Sequence, residues 1–380
     1  MRPERDLRVL LVAAATSTTG GGERHVADLV SLLPARGIEV GLVTPPGGDL
    51  SLLAAHAGIP FHHADIGGRF SFLGRSQLRA AIETFQPDIV HAHGSRAAFY
   101  ARLADPKAAD RVLYTLHGIH VDKAGSSMRR RVLLTAEREL KPRTAHFITV
   151  CEANKRSGAR LGILDARRTT TVHNGVGLLD DPPATGVFRK ELDLTPGVPL
   201  ALSVGRYSEP KDHATVLRAW ALVHARLPEA VLALVGSGEL EEPTRALARE
   251  LHLGPSLRFV EPRPDLRFVY ADADVLCLSS LWEGLPYVVL EAMSYGAAVV
   301  STDVDGIPEA VEDGETGLLV PPATPEALAD ALVRVLEDRD LAERMGAAGR
   351  ERIVHEFTVE RMIDETVAVY WEMAGRKARG

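Results

Sequence analysis

The stretch Val275-Leu276-Cys277-Leu278-Ser279-Ser280-Leu281-Trp282-Glu283-Gly284-Leu285-Pro286 decides how the chain is read. Four apolar residues stop at a pair of serines, and a short loop then presents a carboxylate. A glycine and a proline follow, and a helical pattern opens that runs to Ser294. Strand, loop and helix in that order form one unit of an alternating α/β chain.

The unit recurs in both directions. Leu200–Val204, Val231–Val235, Leu257–Val260, Ala298–Ser301 and Gly317–Val320 read as further strands, with helices such as His213–Arg226 and Pro286–Ser294 between them. The rhythm is also present in the first half, at Arg8–Ala13, Glu39–Thr44, Asp88–Ala92, Val112–Thr115, His146–Val150 and Thr169–Val172, separated by amphipathic stretches such as His25–Ala35 and Arg96–Ala104. Apolar strands alternating with helices predict parallel sheets covered on both faces. The proline-rich segment Leu178–Pro199 interrupts the alternation and reads as a connection, while Ala327–Ala378 is helical in pattern throughout. Two α/β domains follow, over 1–180 and 195–355, with a last helix over 356–380. A chain of 380 residues is long enough for two such cores.

Composition narrows the function. With 46% hydrophobic and 25% charged residues the chain has the make-up of a soluble globular protein, and a net charge of −7 gives no reason to expect nucleic acid as a partner. Cys151 and Cys277 stand far apart without CxxC spacing, which argues against a disulfide framework or thiolate metal site and for a reducing, cytoplasmic compartment. The apolar run Leu7–Ala15, after the polar Met1–Asp6, suits a buried first strand better than a signal-peptide core. No run approaches bilayer length, so any membrane contact is expected to be peripheral, at the inner face. The candidate is 128–141, where Arg129, Arg130, Arg131, Arg138 and Lys141 flank Val132, Leu133 and Leu134. Such a helix either lies on an anionic membrane or shows a solvated basic face.

In open parallel sheets ligands sit beyond the carboxyl ends of the strands, so the loops there carry the candidate chemistry. After the first strand, Gly20-Gly21-Gly22-Glu23 is either a flexible turn or an anion cradle at a helix start; it lacks the spacing of the dinucleotide fingerprint. After Val204, Arg206 offers a planar fork and Lys211 a compact charge, two cations suited to a diphosphate leaving group, with Asp212 placed to cap the next helix. After Ser279, Glu283 and Glu291 flank a helix start opened by Pro286, where the amides of Gly284 and Leu285 can face an anion. Carboxylates accept hydrogen bonds from vicinal hydroxyls, so a sugar and a ribose are natural partners. His117 ends a strand where it can donate to a hydroxyl or serve as a loop residue. His91 and His93 have a His-x-His spacing, but the two-domain rhythm contradicts the barrel in which that motif binds metal. His173-Asn174-Gly175 reads as a tight turn with positive φ at Asn and Gly.

Together these segments resemble the retaining glycosyltransferases of family 4, with the GT-B fold. The likeness runs in order through Gly20-Gly21-x-Glu23, Pro87–His93, Thr115-Leu116-His117-Gly118, His173–Val176, Gly205-Arg206…Lys211 and Val235-Gly236-Ser237-Gly238, and is densest at Glu283-Gly284-Leu285-Pro286…Glu291 and Gly306-Ile307-Pro308-Glu309. The resemblance implies two Rossmann-like domains with parallel sheets facing a cleft, and a C-terminal helix crossing back to the N-terminal domain. It implies transfer of a hexose from a UDP- or GDP-sugar to a hydroxyl acceptor such as a lipid-linked or polysaccharide intermediate. No cofactor and no metal are implied, the nucleotide-sugar being a substrate.

By the same resemblance Arg206 and Lys211 hold the diphosphate with the amides of Gly284, Leu285 and Pro286's neighbours and with Gly20 and Gly21. Glu283 meets the transferred sugar, Glu291 the ribose, and His117 lies beside the sugar, while Gly236 and Val260 border the nucleotide. Glu283, His117, Arg206 and Lys211 are the candidate catalytic set. Three positions depart from the family pattern. Cys151 stands where serine is common, Glu261 where glycine is common, and Asp305 where a second glycine precedes Gly306. A nucleotide-sugar epimerase of the same shape and a non-catalytic nucleotide-sugar-binding protein are the competing expectations.

Overall fold

The computed structural model describes residues 7–17, 20–68, 71–119, 126–178 and 184–377. Met1–Asp6, and residues 120–125 of the loop after His117, lie outside the described residues. The chain divides into two compact units, one of Met1–Asn174 with Val359–Gly380 and one of Gly175–Thr358.

The first unit holds one seven-stranded parallel sheet. Its strands are β1 Leu7–Ala13, β2 Ile38–Thr44, β3 Phe61–His63, β4 Ile89–His93, β5 Val112–Leu116, β6 His146–Thr149 and β7 Thr169–Thr171, in the order β3-β2-β1-β4-β5-β6-β7. Alternation along β1 shows why the strand is apolar throughout. Leu7, Val9 and Leu11 pack with the helix Gly21–Leu32 on one face, through Val26, Leu29 and Val30. Leu10 and Val12 pack on the other with Leu78, Ile82 and Phe85 of the helix Phe72–Phe85. A parallel sheet covered on both sides leaves no solvent face for polar residues. Strand β3 was not among the expected strands: it is three residues long, at the sheet edge, and Phe61 is 38% exposed, so it carries no apolar run.

The helical tail is broken into Pro325–Glu337, Arg339–Glu356 and Val359–Lys377. The last of these belongs to the first unit, where Met362, Ile363, Val369, Tyr370 and Met373 join the core beside β1 and β2.

The second unit repeats the plan with six strands: β8 Leu200–Val204, β9 Val231–Val235, β10 Leu257–Val260, β11 Val275–Leu278, β12 Ala298–Thr302 and β13 Gly317–Val320. They are parallel and ordered β10-β9-β8-β11-β12-β13. The helix His213–Arg226 covers one face, with Trp220 wholly buried and its indole N–H donating to the Ser256 carbonyl at 3.1 Å. The segment read as a connection is tied to this unit. Asp272 accepts from the amides of Phe188 and Arg189 at 2.7 and 3.0 Å, and Arg189 donates to Asp274 at 2.8 Å.

In each sheet the order reverses once, between β1 and β4 in the first unit and between β8 and β11 in the second. Strands that part company in this way open a crevice at their carboxyl ends, the usual place for a ligand in such sheets. The glycine loop follows β1, His93 ends β4, Arg206 and Lys211 follow β8, and Glu283 follows β11. These residues therefore sit at the two reversal points, whereas His117 follows β5, Gly236 follows β9 and Val260 ends β10.

Candidate functional site

In the second unit the loops after β8 and β11 are bound to each other. The Leu281 amide donates to the Pro210 carbonyl at 2.8 Å, and Ser279 Oγ donates to the carbonyls of Lys211 and Asp212 at 2.9 and 2.8 Å. The result brings together two side chains 72 positions apart: Lys211 Nζ donates to Glu283 Oε1 at 2.5 Å. Ser280 Oγ donates to the same oxygen at 2.7 Å. The pair keeps some exposure, 20% for the Lys211 side chain and 13% for Glu283. Arg206 is exposed one residue past Gly205, whose missing side chain leaves room for the Lys211 stem.

The loop geometry depends on glycine where strands continue past their formal ends. The Gly205 amide donates to Val235, and the Gly236 amide to Val260, extending the β8-β9-β10 ladder by two rungs at 3.0 and 3.1 Å. A side chain on Gly236 would bring its Cβ within 2.0 Å of the Gly205 carbonyl oxygen, and one on Gly238 within 2.4 Å of that of Tyr207. The Val260 carbonyl is thereby engaged by Gly236. Asp212 caps the helix His213–Arg226 through Thr215, as the sequence leads one to expect, with its own backbone in the left-handed region at φ +44°. His213 behind it is buried, which lowers its pKa to about 4, with Lys211 adding to the effect, so the ring is neutral near pH 7.

Pro286 differs from the expectation that it opens the helix. Its ψ of 128° is extended, and it is the N-cap of the helix Tyr287–Ser294. Gly284, Leu285 and Pro286 are buried, whereas Glu283 and Glu291 are partly exposed. Glu291 is joined to a residue the sequence reading missed: Tyr270 Oη donates to its Oε2 at 2.8 Å. Tyr270 is buried in the short helix Arg267–Asp272, and its spacing offers no signal that it would face Glu291.

In the first unit Gly20 is the N-cap of the helix Gly21–Leu32, which starts earlier than the sequence pattern indicated. A Cβ on Gly22 would lie 3.1 Å from the His117 ring, so the missing side chain lets the helix start approach that imidazole. His117 belongs to a cluster of four histidines. His93 Nδ1 and His117 Nε2 are 3.3 Å apart, the His91 and His93 rings have centroids 4.0 Å apart, and the His25 ring lies 5.0 Å from that of His117.

His91 is bonded on both nitrogens, to Tyr370 Oη at 2.7 Å and Thr115 Oγ1 at 2.6 Å. Burial, reinforced by the neighbouring histidines, holds His91, His93 and His117 well below the usual imidazole value, and burial brings His25 to about 4. The cluster is neutral at pH 7. His25 Nδ1 bonds Asn174 Oδ1 at 3.1 Å. This corrects the reading of His173-Asn174-Gly175 as a positive-φ turn: neither Asn174 nor Gly175 has positive φ, and Asn174 is there for its side chain.

Residues 19–178 match the family model described as glycosyltransferase family 4, and residues 186–352 the model described as glycosyl transferases group 1. A phosphatidyl-myo-inositol mannosyltransferase of Mycobacterium leprae is 30% identical over 352 residues, 88% of this chain and 88% of that protein. The lipopolysaccharide core biosynthesis glycosyltransferase LpsE of Rhizobium meliloti is 35% identical over 178 residues, 47% of this chain, and the match spans about half the length of that relative, 51%. Among solved structures, Anabaena HepE in complex with UDP and glucose superposes with a TM-score of 0.83 at 20% identity, covering 96% of this chain and 100% of that one. That likeness is one of fold: α/β, with two Rossmann-like domains, as in GT-B glycosyltransferases.

Proposed function

Since the chain belongs to family 4 of the glycosyltransferases, and is a glycosyltransferase by that membership, we propose that it moves a hexose-type sugar from a UDP- or GDP-sugar to a hydroxyl acceptor with retention of anomeric configuration. The observation that carries the donor assignment is the meeting of Lys211 and Glu283 on bonded loops at the β8/β11 reversal point. Arg206 and Lys211 take the diphosphate, helped by the amides of Gly284 and Leu285. Lys211 leaves Glu283 for the phosphate, and the freed carboxylate accepts from sugar hydroxyls. Glu291, oriented by Tyr270, takes the ribose. Gly236 and Val260 border the base. In the first unit Gly20 and Gly21 open a helix start suited to an anion, and neutral His117 beside it can give a hydrogen bond without adding charge.

Charge on the leaving diphosphate is answered here by side chains and amides, so the reaction proceeds without a divalent ion. Turnover is expected to be unchanged in excess chelator; loss of turnover restored by magnesium would overturn that part. A thermal-shift panel of UDP, GDP, ADP and their sugars tests the donor assignment. A ligand selective for the folded state adds about 2.7 kcal/mol of stability at one hundred times its Kd. No shift with any of them, and no sugar transfer, would sink the reading. Anomeric configuration of the product by NMR decides retention.

The acceptor falls to the first unit, and we assign it to a lipid-linked or polysaccharide intermediate. The support is the helix Ser127–Leu140. Glu137 anchors it to buried Arg102 at 2.9 Å, while Met128, Val132 and Leu133 are 67%, 60% and 42% exposed beside Arg129, Arg130 and Arg131. Exposed apolar side chains with Arg129 and Arg131 exposed among them suit an anionic bilayer surface, where each cation contributes about 1 kcal/mol. Among the described residues no helix is long and apolar enough to cross a membrane. Co-sedimentation with phosphatidylglycerol vesicles, absent with phosphatidylcholine and lost when Arg129, Arg130 and Arg131 become glutamate, is the expected result. Equal binding to both vesicle types would remove the assignment.

A further inference from the structure

The end of β12 and the turn after it fasten the Glu283 loop at three points. Thr302 Oγ1 donates to the Ser280 carbonyl at 2.6 Å, and the Gly306 amide donates to the Gly284 carbonyl at 3.0 Å. Between them the amide of Glu283 itself donates to Asp305 Oδ2 at 2.9 Å. The third fastening is made by a residue whose backbone is in the left-handed region, with φ +47°. Glycine would adopt that conformation without cost, and glycine is what the family pattern leads one to expect there. A side chain held where the backbone disfavours one points to a use for the side chain.

Two consequences follow from its chemistry. A carboxylate accepting from the Glu283 amide fixes the peptide from which the Glu283 side chain departs, and such charge-assisted bonds are the strong ones. It also places a second carboxylate within one hydrogen bond of Glu283, so once Lys211 turns to the phosphate the sugar meets a site that carries two acidic side chains.

We propose that Asp305 is a positioning and specificity-determining residue for the donor sugar. It holds Glu283 in place to receive sugar hydroxyls, and its charge repels a sugar that carries a carboxylate. The donor is therefore a neutral hexose rather than a hexuronate. This inference rests on the donor assignment above and names the class of sugar it takes.

The test is isothermal titration of the full chain and of two variants, D305G and D305N, with UDP, UDP-glucose and UDP-glucuronate and with GDP, GDP-mannose and GDP-mannuronate. The wild type is expected to bind one hexose donor about tenfold or more tightly than its uronate counterpart. D305G relieves the backbone and so folds, but removes the acceptor. Its affinity for the hexose donor, relative to the bare nucleotide, should fall about tenfold while nucleotide binding is unchanged. D305N keeps an amide-accepting oxygen without the charge. It should hold that ratio within about twofold of the wild type while discrimination against the uronate drops several-fold. A general packing role would move nucleotide and nucleotide-sugar together and spare the uronate ratio. If D305G matches the wild type in both ratios, the role of Asp305 is overturned and the donor assignment stands. If the wild type binds none of the six compounds, the donor assignment itself falls.

Discussion

The Lys211 ammonium is already engaged by the Glu283 carboxylate, and in the proposed reaction it exchanges that partner for a phosphate oxygen when donor binds. Lys211→Ala removes the charge that meets the leaving group, and kcat/KM should fall by roughly 3 to 4 kcal/mol of transition-state stabilisation. Steady-state assays with the donor identified by thermal shift measure it; near-normal turnover removes Lys211 from the mechanism. At this scale the sequence was informative about residue types and silent about pairing. Strand–loop–helix punctuation put Arg206, Lys211 and Glu283 in loops after strands and Glu291 in the helix that follows, which is where the structure has them. That Lys211 would touch Glu283, Tyr270 would touch Glu291 or Asp305 would hold the Glu283 amide depends on contacts spanning 72, 21 and 22 positions, which no local pattern encodes.

Strands and helices were legible where burial is two-sided. β8 and β9 fall where their apolar runs do, because a strand covered on both faces writes its limits into composition, and β10 and β13 at the two edges of the second sheet also keep their expected limits. Edge strand β3 and the extended Pro286 escaped, being set by a neighbouring strand and by loop closure rather than by apolar pattern. The join between elements is where substitution should cost most. Gly236→Ala forces a Cβ into the Gly205 carbonyl oxygen at 2.0 Å, so the β8 and β9 loops must separate. A loss of about 2 to 4 kcal/mol is expected, in the upper range for a point substitution and read from denaturant unfolding of the second unit. A variant as stable as the wild type would show that those loops yield freely.

The molecule as a whole divides as the alternation of the sequence suggested, into two parallel α/β units, but the return of the final helix to the first unit was readable only through family likeness. Composition cannot say which of two similar cores an amphipathic helix covers. The first unit carries its own pH dependence. Its buried histidines have folded pKa values below the ordinary 6.5, so between 6.5 and about 4 the unfolded chain binds protons that the folded chain refuses.

Stability is complete above pH 6.5 and is lost as pH falls toward 4, with His25 alone worth on the order of 3 kcal/mol. Hydrogen exchange of β4 and β5 at pH 7 and pH 5 should show protection falling, beyond the intrinsic rate change, and falling further than in β9, whose unit carries the buried His213 in place of a cluster of four. Equal protection at both values would mean the cluster charges without penalty.

The helix Val359–Lys377 also fixes an order of events. Its residues leave the ribosome after every strand of the second unit, yet Tyr370 from it supplies the hydroxyl that bonds His91 in the first. A nascent chain can thus finish its later-made half while the earlier-made half still lacks a wall. Until translation reaches that segment, apolar patches around Val9, Leu11 and Leu42 stay open to chaperones, and stalling just short of residue 359 would leave a chain half complete and half sticky.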